Sequence, residues 1–124
     1  MNTAIVQRHL LDLSHGYTLK VADDYSKFIV KDFRTPPGYD FPVIEVMVEL
    51  PPDYAVQPPG VPPSSVYVPA ELRYLGRVPA DFHTSPAWKG WAWWCFRSIA
   101  WDPCRDDLAT FMELLRATMT NPST

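Results

Sequence analysis

Between residues 43 and 50 apolar and polar positions alternate, with Ile44, Val46, Val48 and Leu50 on one parity and Glu45 and Glu49 on the other. Period-two alternation predicts a strand of an antiparallel sheet with one packed and one wet face. Two upstream runs, Tyr17 to Val21 and Lys27 to Phe33, read the same way, and Ser65 to Val68 is expected to add a short fourth strand. Arg34-Thr35-Pro36-Pro37-Gly38-Tyr39-Asp40 marks a turn between two of these strands. Near both ends the period becomes helical. Ile5, Val6, Leu10, Leu11 and Leu13 predict a short helix over residues 3–14, stopped at Gly16. Leu108, Phe111, Met112, Leu115 and Met119 form one apolar stripe at offsets of 0, 3, 4, 7 and 11. Asp102 is expected to cap that helix and Pro103 to open it, with Asp106 and Asp107 suiting the positive end of the dipole.

Two stretches interrupt the pattern. Pro51 to Pro63 holds six prolines in thirteen residues, an extended stiff connection, because Pro fixes φ and favours polyproline geometry. Residues 70–94 mix Gly, Pro and large aromatics without a clear period. They are expected to pack over the sheet as an ordered irregular segment, with room for one short helix. The expected fold class is α+β: one domain spanning 1–124, an antiparallel four-stranded meander with flanking helices packed on one face.

Composition narrows the function. With 124 residues, 47% hydrophobic and 20% charged, the chain has the make-up of one globular domain. A net charge of −3 lacks the electrostatic footprint of a nucleic-acid binder. Fourteen prolines argue against a helical bundle. Two cysteines are too few for a disulfide scaffold or a four-thiolate zinc site. The N-terminus shows no apolar run of signal-peptide length, and no stretch reaches the roughly 18 apolar residues of a membrane span. A cytoplasmic protein with free thiols, no metal and no cofactor is the expectation. Glycine-rich phosphate loops, dinucleotide fingerprints and two-histidine zinc motifs are absent, and His9, His15 and His83 are scattered.

The distinctive chemistry lies in Trp88-Lys89-Gly90-Trp91-Ala92-Trp93-Trp94-Cys95-Phe96-Arg97. Four Trp and a Cys in ten residues make either a packing plug or a recognition platform. Stacking on a carbohydrate is a further reading of the aromatic run. Cys95 is the candidate nucleophile, with Arg97 nearby to favour its thiolate. Cys104 is the competing thiol, but Asp102, Asp106 and Asp107 crowd it with negative charge.

The order of elements resembles the ubiquitin-conjugating enzyme (UBC-like) fold. Leu50-Pro51-Pro52-Asp53-Tyr54-Ala55-Val56-Gln57-Pro58-Pro59 is similar to that superfamily's Tyr-Pro-x-x-Pro-Pro stretch, with Ala55 in place of the first Pro. Trp101-Asp102-Pro103 is similar to the Trp-x-Pro that precedes the helix after the catalytic cysteine. Lys31-Asp32-Phe33 leading into Pro36-Pro37-Gly38-Tyr39, with Trp101-x-Pro-x-x-Asp-Asp-Leu108, most resembles the bacterial branch, prokaryotic family E. The resemblance implies a protein that accepts a ubiquitin-like protein as a thioester on Cys95 from a ThiF-type adenylating activating enzyme and transfers it to a target. It also implies that residues 3–14, with Arg8 and His9 exposed, dock the activating enzyme.

One departure bears on mechanism. The superfamily carries a His-Pro-Asn motif before its cysteine, whose Asn stabilises the oxyanion, whereas the only Asn residues here are Asn2 and Asn121. His83, twelve positions before Cys95, occupies the place of that His but is followed by Thr84-Ser85. Either another donor (a backbone N–H, Ser98 or a Trp indole) takes the role, or transfer is lost. In the latter case the chain is a catalytically inactive UBC-like binding module that holds a ubiquitin-like protein or activating enzyme noncovalently.

Overall fold

The computed structural model describes residues 3–50, 65–79, 82–84, 88–94 and 107–120. The chain runs α1 (Thr3–Leu13), β1 (Leu19–Val21), β2 (Lys27–Arg34), β3 (Val43–Glu49), β4 (Ser65–Pro69), β5 (Phe82–Thr84), β6 (Trp91–Trp94) and α2 (Leu108–Thr120). All strand pairings are antiparallel, in the order β1-β2-β3-β4-β6-β5. The four strands of the meander form within the runs expected to be strands. The sheet is nevertheless six-stranded, because residues 70–94, expected to be irregular, contribute β5 and β6. Strand β6 is inserted between β4 and β5, so the chain passes β6's place, forms the edge, and turns back.

One hydrophobic cluster joins both helices to one face of the sheet. The register sets Phe28, Val48, Val66 and Trp94 in a row across four strands, each buried. Leu108, Phe111, Met112, Leu115 and Met119 of α2 and Val6, Leu10 and Leu13 of α1 close over that face. Each fully buried large side chain contributes roughly 1.5–3 kcal/mol relative to exposure. Leu11 departs from the stripe expected for α1: it is 62% exposed. Strict alternation also fails in β2, where a register shift between Val30 and Phe33 lets Phe28, Val30 and Phe33 all point inward. Within the shift, the Asp32 carboxylate accepts the Thr18 N–H at 2.9 Å and fastens the entry to β1.

The cap of α2 also differs from expectation. Asp107 lies just outside the helix, and its Oδ1 accepts the Thr110 N–H at 3.0 Å. It takes the role that the sequence assigns to Asp102, which lies outside the described residues. The third amide of the helix is the one a capping side chain reaches, and the described helix starts at Leu108.

Candidate functional site

Strand β6 leads to Cys95 and is held on both sides. Val66 pairs with Trp94 and Tyr67 with Trp93 on the β4 side; Phe82 pairs with Trp94 and His83 with Trp93 on the β5 side. Alternation divides the tryptophans by role. Trp94 is buried in the core under the helices, and Trp93 lies on the opposite face, 39% exposed. The aromatic run is therefore both plug and surface.

The β5–β6 hairpin also carries the expected His into the neighbourhood. His83 is twelve positions from Cys95 in the chain, but its backbone stands in register with Trp93, two residues before Cys95. Cys95 and Ser98 themselves lie outside the described residues. So do Cys104, the Trp101-Asp102-Pro103 landmark and the proline-rich stretch from 51 to 63.

The face of the sheet turned away from the helices carries features that alternation alone does not reveal. One register row reads Ile29, Met47, Tyr67, Trp93 across four strands. Met47 and Tyr67 are buried there although the helices pack on the other side. The Lys27 ammonium stands 3.9 Å from the centre of the Trp88 ring, a cation–π contact that carries that ring onto this face. The Tyr67 hydroxyl donates to Glu49 Oε1 at 2.5 Å. Lys27, Glu49 and Ser65 occupy the next row, at the end toward which β6 runs. These residues went unsingled in the sequence because their association depends on pairing between distant strands.

On α1, Arg8 is exposed but His9 is half-buried, which corrects the expectation of an exposed pair. Burial holds the His9 pKa below its usual value; Asp107 and Asp12 raise it in part, and Arg8 lowers it. Among the described residues, no group of three His, Cys, Asp or Glu could hold a metal ion, and no helix is long and apolar enough to cross a membrane.

Two helices packed on one face of an antiparallel sheet define an α+β protein. The family model for Prokaryotic E2 family E matches residues 6–121, and the chain belongs to that family. The match begins within α1, ends just past α2, and takes in His83, Cys95 and Ser98. No curated protein and no solved structure matches the chain.

Proposed function

We propose that the protein is a conjugating enzyme of UBC-like fold that carries a ubiquitin-like protein as a thioester on Cys95. Membership of the prokaryotic E2 family is the observation that carries this reading, and the His83–Trp93 register supports it. The Cys95 thiolate attacks the thioester carbonyl that links the ubiquitin-like C-terminus to a ThiF-type activating enzyme. The activating enzyme's thiolate leaves and takes up a proton. In the second step an amine or hydroxyl of the target attacks the new thioester, loses a proton, and expels the Cys95 thiolate. Cysteine suits both steps, being intrinsically nucleophilic and a good leaving group. The tetrahedral intermediate of each step needs a donor for its oxyanion, and no Asn lies between His83 and Cys95 to supply one. Ser98 is the side chain we assign to that role, and His83 the supporting group.

Charging with the activating enzyme, ATP and the ubiquitin-like protein is expected to give a reductant-sensitive adduct. It disappears in Cys95→Ala, becomes reductant-resistant in Cys95→Ser if an oxyester forms, and persists in Cys104→Ala. Ser98→Ala is expected to slow discharge onto an amine about 10²-fold, the usual cost of losing one oxyanion donor. An adduct lost in Cys104→Ala and kept in Cys95→Ala would overturn the choice of thiol. The missing Asn favours a second reading, a noncatalytic module that binds the same partners. Binding by calorimetry, without any adduct in the wild type, would select it.

A further inference from the structure

At the end of the sheet remote from the step between Trp94 and Cys95, three segments enclose a cleft of about 360 Å³. Phe41, Val43 and Glu45 come from the turn before β3 and from β3 itself. Pro69 and Glu71 come from the end of β4 and the turn after it, and Lys89, Gly90 and Trp91 from the turn that starts β6. The walls are held by hydrogen bonds of backbone and side chains. Asp40 N–H donates to the Arg73 carbonyl at 3.1 Å, and the Asp40 carboxylate accepts the Arg73 N–H at 2.9 Å. Arg73 Nη1 donates to the carbonyls of Ala70 and Leu72 at 2.9 and 2.8 Å. Ala70 N–H donates to the Gly90 carbonyl at 3.0 Å, and Trp91 N–H to the Trp88 carbonyl at 3.2 Å. Such a cleft holds its shape without a ligand, and a preformed site spends little of its binding free energy on ordering.

Its lining is unusual for a surface left bare. Phe41 and Val43 are 40% and 45% exposed. Glu45, Glu71 and Lys89 are exposed, and none of their side chains takes a hydrogen-bond or ion-pair partner among the described residues. Aromatic faces and carboxylates select for the same thing. A ring attracts a cation through its quadrupole, and an Arg or Lys buries its aliphatic stem on apolar walls while its head reaches a carboxylate.

We propose that this cleft docks a partner polypeptide through an arginine or lysine flanked by apolar residues. The stem lies against Phe41 and Trp91, the head meets Glu45 and Glu71, and the flanking residues cover Val43 and Pro69. Lys89 opposes the incoming charge and so limits affinity. The site stands apart from Cys95 chemistry and does not depend on it.

The experiment is titration of the ¹⁵N-labelled full chain with acetyl-Gly-Leu-Arg-Leu-Gly-amide, followed by amide shifts. Shifts are expected at Val43, Glu45, Glu71, Gly90 and Trp91. Replacing arginine by uncharged citrulline, or making Glu45→Gln and Glu71→Gln together, is expected to weaken binding about fivefold, as for two partly screened ion pairs. Lys89→Glu is expected to tighten it, and salt raised from roughly 0.05 to 0.5 M to weaken it. Shifts confined to other residues, equal binding of the citrulline peptide, or no response to the paired Gln substitutions would each overturn the proposal. Free arginine amide binding as tightly as the peptide would overturn a polypeptide as the ligand. Because the readout needs no thioester, loss of Cys95 chemistry leaves this test intact.

Discussion

Leu75 sits at φ 50°, followed by Gly76 at 78°, between Tyr74 and Arg77, whose N–H groups each donate to the other's carbonyl at 2.9 Å. Positive φ at both central positions is the signature of a type I′ hairpin turn, which favours Asn-Gly. A bulky L-residue in that region costs roughly 1–2 kcal/mol. Leu75 is 70% exposed, so burial does not offset the cost. Leu75→Asn is therefore expected to stabilise the fold by about 1 kcal/mol. The check is a higher urea midpoint at unchanged slope. Gly38 presents the opposite case. Its φ is 105°, and an added Cβ would stand 2.5 Å from the Tyr74 ring. The neighbouring Tyr39 hydroxyl donates to the Met119 carbonyl at 2.7 Å, so displacing this turn also disturbs the end of α2. Gly38→Ala is expected to destabilise by roughly 1–3 kcal/mol, measured by the same unfolding curve. The Gly-Tyr pair was visible in the sequence as part of a turn. Its close approach to Tyr74 was not, because 36 residues separate the two positions.

The helices depend on their ends and on each other. Asp107 is the described cap of α2, accepting both the Thr110 N–H and the Thr110 hydroxyl, at 3.0 and 3.1 Å. Asp107→Ala is expected to cost about 1 kcal/mol in an unfolding curve, in the usual range for a lost cap. The same carboxylate acts on His9 of α1, whose pKa is lowered first by burial and only partly restored by Asp107. A histidine with a lowered folded pKa binds fewer protons folded than unfolded, so its contribution is present above the ordinary value of 6.5. That contribution is lost as pH falls from 6.5 through the folded value. Stability is expected to decline in this window, and His9→Gln is expected to flatten the decline, as followed by thermal melts across pH. A His9→Gln variant as acid-sensitive as the wild type would assign the effect to other groups. Periodicity located both helices, since an amphipathic stripe is a local property of the chain. It did not separate Leu11 from the core of α1, and the reading that gave the cap to Asp102 passed over Asp107, because a face and a cap are decided by what the helix meets.

At the scale of the whole molecule, the sheet shows where local pattern stops being informative. Alternation at Ile44, Val46, Val48 and Leu50 announced β3, and the four-strand meander followed from successive strand-like runs, the last reached across the proline-rich connection. β6 has only four residues, Trp91-Ala92-Trp93-Trp94, too few to establish a period, and its two partners lie on strands that precede it. The expectation of an irregular segment failed there, because pairing with β4 and β5 supplies order that the local pattern does not. The chain alone indicated the α+β class and the family, since these rest on residue identity and order, and it put Cys95 forward as the nucleophile proposed above. Tertiary structure alone decided that His83 stands beside Trp93, that Lys27 meets Trp88, and that Phe41, Glu71 and Trp91 line one cleft. Each of these depends on strand register between segments far apart in the chain, and register is selected by burying the whole row of Phe28, Val48, Val66 and Trp94 at once.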